Sequence, residues 1–162
     1  MKKIFLILAL SLAVFTTKAQ EFGAALHAGY LTEIGTVGFG ADLLYEIDDT
    51  WGVASNVTFA FTEVAEDKLN WLALDLNVHY TFVDELYALA GGEYLTTNLK
   101  DRSTVGGFSL GENKITNSEF GVNLGAGYRF PIVDNVSIFT EVKYVVIEAG
   151  YVHARAGLHF SF

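Results

Sequence analysis

Residues 119–130 read EFGVNLGAGYRF, and this stretch decides the fold. Its apolar side chains fall on every second residue, from Phe120 through Leu124 to Phe130, while Gly, Asn and charged residues fill the positions between. Side chains that alternate with a period of two point to opposite faces of a β-strand. The stretch therefore predicts a strand with one apolar face and one face of small or polar residues.

The same alternation recurs along the chain and predicts eight strands in an all-β fold. In the fifth strand the phase is ambiguous, and placing Glu93 on the polar face puts Ala88, Ala90 and Tyr94 on the apolar one. No stretch shows a helical period of comparable strength. The predicted strands are 22–30, 37–46, 51–62, 71–82, 86–96, 119–130, 138–146 and 152–162.

The connections between these strands alternate in length. Tight turns rich in Asp, Asn and Pro are predicted at 47–50, 83–85 and 131–135. Longer connections are predicted at 31–36, 62–70, 97–118 and 147–150. The segment 98–117 is the longest and most polar of them, and Gly106, Gly107 and Gly111 predict that it is flexible. Tight turns at one end and variable loops at the other are typical of an antiparallel up-and-down meander that closes into a barrel.

The bulk of the apolar face decides which side of the barrel points outward. An eight-stranded barrel has an interior just wide enough for side chains or one small ligand. Phe, Tyr, Trp, Leu and Val on nearly every strand are too bulky for that lumen, whereas Gly, Ala, Asn and Thr fit it. The chain therefore predicts a transmembrane barrel with an apolar exterior. The 51% hydrophobic content, without a helix-length apolar run after residue 20, agrees with this prediction.

Aromatic residues of the apolar set cluster at the strand ends, as in the two girdles that flank the apolar band of transmembrane barrels. The predicted girdle residues are Phe22, Tyr30, Trp51, Phe61, Tyr80, Phe82, Phe120, Tyr128, Phe130, Phe160 and Phe162.

The N-terminus has the layout of a secretory signal peptide. Lys2 and Lys3 precede an apolar run at 4–15, and small and polar residues follow up to Ala19. We therefore expect a cleaved signal peptide at 1–19 and a single barrel domain at 20–162. Cleavage would remove Lys2, Lys3 and Lys18 from the 10 basic residues and none of the 19 acidic ones. So acidic a chain argues against nucleic acid as a partner.

Charged residues of both signs fall on the predicted inner face, where they must pair because burying an unpaired charge costs several kcal/mol. We expect Glu141 and Lys143 to pair with Arg155 and with acidic neighbours, forming a polar plug. The predicted lumen charge network is Asp42, Asp75, Glu93, Glu119, Arg129, Glu141, Lys143 and Arg155. His27, His79, His153 and His159 also fall inward, but their spacing establishes no metal site. No cofactor is expected.

With these features the chain resembles the small eight-stranded outer-membrane barrels of the OmpX and OmpA membrane-domain type. The C-terminal AGLHFSF at 156–162 is similar to the signal that the outer-membrane insertion machinery reads, with Phe160 and Phe162 as its apolar positions. The residues around Ala19 resemble export signals of Bacteroidetes. The resemblance implies a monomer in the outer membrane of a Gram-negative bacterium, surrounded by lipid and lipopolysaccharide. It also implies that the termini and tight turns are periplasmic and that the longer connections face outward.

The resemblance favours a structural or surface-interaction role through the outward loops rather than an enzyme. Lys100, Arg102 and Lys114 lie in the longest predicted loop and are candidates for contact with lipopolysaccharide phosphates. The lipid A deacylases of this fold place Ser after His on a late strand, whereas Ala154 follows His153 here. The alternatives are a narrow porin-like pore, a lipid-modifying enzyme and a soluble lipocalin-like binder.

Overall fold

The computed structural model describes residues 21–64, 67–105 and 108–162, with the side chains of 63–68 and 100–114 excepted. The predicted signal peptide at 1–19 lies outside this part of the chain. The described residues form a closed antiparallel barrel in which each strand pairs with its neighbours in sequence and β1 pairs with β8. The strands are β1 (Glu21–Leu31), β2 (Thr36–Glu46), β3 (Trp51–Val64), β4 (Asp67–Val83), β5 (Leu86–Val105), β6 (Phe108–Val133), β7 (Val136–Val146) and β8 (Tyr151–Ser161). The predicted fold class is confirmed.

Two of the predicted loops are wrong, because the strands continue through most of them. Segment 97–118 is a paired hairpin in which Asn98 lies opposite Thr116 and Val105 opposite Phe108. Segment 62–70 is likewise paired as far as Val64 opposite Asp67. Thr and Ile in these segments suit a pleated strand. Cross-strand hydrogen bonds add to the pairing, since Thr116 Oγ1 donates to Asn98 Oδ1 at 2.8 Å.

The tight turns lie at one end of the barrel, which we call the turn end. In the β2–β3 turn, the backbone N–H groups of Thr50 and Trp51 both donate to Asp48 Oδ1 at 2.8 Å. Such local side-chain to backbone bonds are the reason that Asp favours turns. In the β4–β5 turn, Asp84 adopts a φ of 46°, a left-handed conformation that Asp tolerates better than most residues.

At the opposite end of the barrel the strands reach different heights. We call the taller side, formed by the extensions of β3 to β6, the outer wall. There β3 and β4 extend as a hairpin through 61–64 and 67–70, and β5 and β6 extend further, through 96–105 and 108–121. The low side consists of the short β1–β2 and β7–β8 loops at 32–35 and 147–150. The β6–β7 ladder starts only at Val122 opposite Val146. Residues 108–121 of β6 thus pair with β5 on one side and have no β7 partner on the other.

The barrel exterior is apolar over the height that all eight strands share. Leu26 and Leu43 are both 65% exposed on this surface. Aromatic rings contact each other across neighbouring strands at both ends, as Trp51 and Tyr80 do at 4.8 Å near the turn end and Tyr94 and Phe120 do at 4.8 Å near the outer wall. The described residues contain no helix that is long and apolar enough to cross a membrane.

Every residue of the predicted aromatic girdle lies on this exterior. The turn-end belt comprises Phe22, Tyr45, Trp51, Tyr80, Phe82, Tyr128, Phe130, Phe160 and Phe162, and the wall-end belt comprises Tyr30, Phe39, Phe59, Phe61, Tyr94, Phe120 and Tyr144.

Candidate functional site

The first polar cluster of the lumen is centred on Lys143 of β7. Its ammonium group lies 2.5 Å from Asp75 Oδ1 on β4 and 3.1 Å from Glu93 Oε2 on β5, and all three side chains are fully buried. The Tyr151 hydroxyl donates to Glu93 Oε1 at 2.6 Å, and Asn123 Nδ2 donates to Asp75 Oδ1 at 2.6 Å. One cation thus bridges two carboxylates across the lumen, from β7 to β4 and β5.

The second cluster is centred on Arg155 of β8. Its Nε donates to Glu141 Oε1 at 2.7 Å, and its Nη1 donates to Asp42 Oδ1 at 2.9 Å. The Tyr87 hydroxyl donates to the other oxygen of Glu141 at 2.9 Å. Glu141 and Arg155 are direct partners in the β7–β8 ladder, so their Cα atoms are neighbours whatever rotamers the two side chains adopt. This cluster again holds one cation between two carboxylates, the pairing that a buried charge requires.

The Asp42, His27 and Thr58 side chains are linked in series, like the acid, base and nucleophile of a catalytic triad. His27 Nδ1 lies 3.2 Å from Asp42 Oδ1, and His27 Nε2 lies 3.1 Å from Thr58 Oγ1. In nucleophilic catalysis, the hydroxyl group of such a triad must be accessible to the substrate. Thr58 is completely buried, however, and His27 Nδ1 is also 3.3 Å from Arg155 Nη1. The three residues therefore extend the Arg155 cluster across β1, β2 and β3 rather than forming an accessible catalytic site.

The other three histidines are also buried and point inward. His79 stacks on Tyr87 with ring centroids 4.7 Å apart, and His159 Nδ1 lies 3.4 Å from Ser137 Oγ. The His153 ring meets His27 edge to face at 6.1 Å. Within the described residues no three His, Cys, Asp or Glu side chains are grouped so that they could hold a metal ion.

An apolar plug seals the wall end of the lumen. Leu31, Trp71, Leu95, Val145 and Tyr151 are each at most 2% exposed, and Ile34 and Ile147 pack on them from the two short loops. The Trp71 and Tyr151 rings meet edge to face at 5.3 Å, an arrangement that aromatic pairs prefer. The plug is not among the features predicted above. Its signal is nevertheless in the sequence, because the inward-facing residues change from polar to apolar at the wall end of several strands.

The turn end instead opens into a polar vestibule of about 310 Å³. Arg129 lies here, paired with Glu46 at 2.5 Å, and both side chains remain partly exposed. Deeper in the barrel, around Arg155, Phe139 and Glu141, only about 20 Å³ of free volume remains, room for at most one water molecule. The vestibule is therefore a blind depression with a packed floor.

The structure places the predicted lumen charges in four different settings: two buried clusters, the vestibule and the outer wall. Asp75, Glu93 and Lys143 form one buried cluster, and Asp42, Glu141 and Arg155 form the other. Arg129 belongs to the vestibule, where it pairs with Glu46 at the end of β2.

Glu119 lies apart from both clusters, half-buried on the outer wall, where it accepts a hydrogen bond from Asn117 Nδ2 at 2.8 Å. The side chains of Lys100, Arg102 and Lys114 lie outside the described residues, although their backbone lies in the outer wall with Lys100 opposite Lys114.

Comparison with known proteins finds likeness in structure alone. No protein-family model matches the sequence, and no curated protein matches it. A major outer-membrane protein of Thermus thermophilus matches 90% of this chain and 100% of its own, at 16% identity and a TM-score of 0.72. The N-terminal β-barrel domain of Pseudomonas aeruginosa OprF gives the same coverages at 15% identity and a TM-score of 0.63.

Ail, the attachment invasion locus protein of Yersinia pestis, also covers 90% of this chain and 100% of its own, at 17% identity and a TM-score of 0.58. At these identities the likeness concerns the fold alone. The chain has the fold of the small eight-stranded outer-membrane barrels, as its sequence predicts.

Proposed function

We propose that this chain is a monomeric integral protein of the bacterial outer membrane, with a structural or surface-interaction role and a closed lumen. The observation that carries the proposal is the apolar exterior between two aromatic belts. In water such a surface would be a severe aggregation liability, whereas in a bilayer it is solvated.

The separation of the belts fits a membrane. Phe22 and Tyr30 on β1, and Tyr128 and Phe120 on β6, are each eight residues apart along their strands. At about 3.3 Å per residue and a tilt of about 40°, this spacing gives roughly 20 Å along the barrel axis. The apolar band of outer-membrane barrels is about 25 Å tall.

The filled lumen supports a non-conducting and non-catalytic role. Lys143 and Arg155 each hold two carboxylates from other strands, and the apolar plug closes the wall end above them. A pore needs a continuous hydrated path, and an enzyme needs a reactive group that substrate can reach. The only triad-like arrangement within the described residues ends on the buried Thr58.

From the resemblance to outer-membrane barrels, we propose that the turn end lies in the periplasm and the outer wall outside the cell. Phe160 and Phe162 lie at the turn-end rim, where the Phe162 N–H donates to the Phe22 carbonyl at 2.8 Å. We propose that these two residues form the signal for the insertion machinery. We also propose that Lys100, Arg102 and Lys114 contact lipopolysaccharide phosphates, since their backbone lies in the outer wall.

Membrane fractionation combined with heat-modifiable gel mobility tests the proposal. The full-length chain, expressed in a Gram-negative host, is expected in the outer-membrane fraction and is expected to migrate differently before and after boiling. Detergent-free partition into the aqueous phase would establish a soluble barrel instead. A change in the lipid A mass spectrum of the host would indicate a lipid-modifying enzyme.

A further inference from the structure

The vestibule at the turn end carries a strong excess of negative charge. Among the described residues that line it, Arg129 is the only cation, and it already pairs with Glu46. A cleft lined by charges of one sign concentrates ions of the opposite sign. All three tight turns contribute to the lining, and its carboxylates are those of Glu46, Asp48, Asp49, Asp84, Glu85 and Asp134.

Most of these carboxylates have no cation beside them. Within the described part of the chain, the ion pairs leave out Asp49, Asp84, Glu85 and Asp134. Asp48 is held within its turn, where its Oδ1 accepts two backbone N–H groups. Like charges on three neighbouring turns repel one another, and a cation bound between them would relieve that repulsion.

His79 lies beneath the vestibule with both ring nitrogens unsatisfied. It lines the vestibule and also the small cavity below, so it lies between the two. The residue is 7% exposed, and neither Nδ1 nor Nε2 has a hydrogen-bond partner among the described residues. Buried polar atoms normally have such a partner. A neutral imidazole keeps one nitrogen as an acceptor, which an ammonium group satisfies by donating an N–H.

A bare metal ion does not suit this set of carboxylates. Ca²⁺ takes about six to eight oxygen ligands within about 2.6 Å. In the part of the chain that the structure describes, no three His, Asp or Glu side chains are grouped closely enough to hold a metal ion. The carboxylates are instead spread around the mouth of the depression, so they match a ligand whose positive charges are also spread.

The size and lining of the vestibule suit a small organic cation. Its volume of about 310 Å³ lies at the lower end of the range for small-molecule sites, roughly 300–1,000 Å³. Leu44 and Val136 also line it and offer apolar surface to methylene groups. A flexible chain that carries several ammonium groups separated by methylenes meets both requirements.

We propose that the vestibule binds a small linear polyamine, whose ammonium groups pair with Asp49, Glu85 and Asp134 and donate a hydrogen bond to His79. Several partly exposed charge pairs supply the affinity, and the spacing of the turns selects a ligand with separated charges. The inference goes beyond the proposed function, and it does not depend on which side of the membrane the turn end faces.

Isothermal titration calorimetry at neutral pH tests the inference, with the full chain in nanodiscs of zwitterionic lipid and empty nanodiscs as the blank. The probe is spermidine, and the comparison ligands are butylamine, which has a single ammonium group, and Ca²⁺ at equal ionic strength. Spermidine is expected to saturate at one molecule per chain. Butylamine and Ca²⁺ are each expected to bind at least about tenfold more weakly, because each engages fewer of the separated carboxylates.

Neutral variants locate the site. Glu85→Gln and Asp134→Asn are each expected to weaken spermidine binding by about fivefold, as the loss of a partly exposed charge pair allows. Glu148→Gln removes an equal charge from the β7–β8 loop at the opposite end of the barrel. It is the matched control and is expected to leave binding unchanged.

Two variants test the role of His79. His79→Phe keeps an aromatic ring to stack on Tyr87 but removes both nitrogens, and it is expected to weaken spermidine binding by about tenfold. His79→Gln keeps a hydrogen-bond acceptor and is expected to weaken binding less than His79→Phe does. Equal binding by His79→Phe and the wild type would remove His79 from the site and overturn the inference as stated.

Other outcomes also overturn the inference. These are no saturable binding of spermidine, butylamine or Ca²⁺ binding as tightly as spermidine, and equal weakening by Glu148→Gln and Glu85→Gln. Heat-modifiable mobility is measured on every sample. A wild-type chain that inserts into lipid but does not bind spermidine refutes the polyamine site alone, whereas a chain that never inserts refutes the proposed function.

Discussion

Glu141 and Arg155 lie directly opposite each other on β7 and β8, and their side chains meet at 2.7 Å inside the barrel. The same guanidinium reaches Asp42 on β2 at 2.9 Å. Arg155 therefore pairs with both carboxylates, and it connects the strands on either side of the barrel closure.

Replacement of this cation leaves two buried carboxylates, those of Asp42 and Glu141, without the guanidinium that pairs with both. We expect Arg155→Ala to lower the free energy of unfolding by about 3–5 kcal/mol. Urea unfolding from lipid vesicles, followed by tryptophan fluorescence, measures the change. Arg129→Ala removes the partly exposed partner of Glu46 and is the matched control, with an expected cost below about 1 kcal/mol. Equal stability of Arg155→Ala and wild type would contradict the role given to this cluster.

A positive charge in the middle of the apolar band tests which solvent the exterior faces. Leu26 is 65% exposed and lies midway between Phe22 and Tyr30, so Leu26→Arg is expected to cost about 2–4 kcal/mol of stability in lipid. Ile132→Arg, beyond Phe130 at the turn end, introduces the same group at a site that is 54% exposed and is expected to cost less than about 1 kcal/mol. Equal effects of the two variants in vesicle unfolding would speak for a soluble barrel.

In the narrow lumen, some positions have room only for glycine, because neighbouring backbone and inward-facing side chains occupy the place of a Cβ atom. A Cβ on Gly40 would collide with the Val57 carbonyl oxygen and the His27 ring, so Gly40→Ala is expected to destabilise the barrel by about 1–3 kcal/mol. At Gly52 the nearest atom to such a Cβ is 3.5 Å away, and Gly52→Ala is expected to be neutral or to stabilise by up to about 1 kcal/mol. The reverse order in vesicle unfolding would contradict this packing.

Ion conductance tests whether the lumen is closed. In the described part of the chain, the apolar plug and the two charge clusters fill the lumen, so the purified protein in a planar bilayer is expected to show no steady single-channel openings. The control is Trp71→Ala combined with Tyr151→Ala, which removes the largest plug residues. Regular openings of the wild type at moderate voltage would favour the narrow-pore alternative.

Much of the architecture could be predicted from the sequence. The alternation in stretches such as 119–130 indicates which residues face inward. In the fifth strand the phase is ambiguous from the sequence, and only the structure shows that Glu93 faces inward together with Leu89 and Leu95. The alternation does not show where each strand ends. Segment 97–118 contains the Gly, Asn and Ser of a loop, and whether such residues pair depends on the strand beside them rather than on their own preference.

Partner choice inside the lumen could not be predicted. Parity places Asp42, Asp75, Glu93, Glu119 and Arg155 on one face, but it does not show their heights along the barrel axis. Those heights follow from the register of all eight strands, which puts Arg155 beside Asp42 and leaves Glu119 half-buried at the outer wall. Glu46 was missed as the partner of Arg129 because the two residues are distant in sequence and meet only across the vestibule.

The amino-acid sequence by itself determined that this protein has eight strands, an apolar exterior and a small, charged interior, because side-chain alternation is a local property of each strand. The tertiary structure alone decided which charges pair, where the apolar plug forms, and that the outer wall ends in an open edge on β6. Those features depend on register, which arises only when strands far apart in the chain close into one barrel.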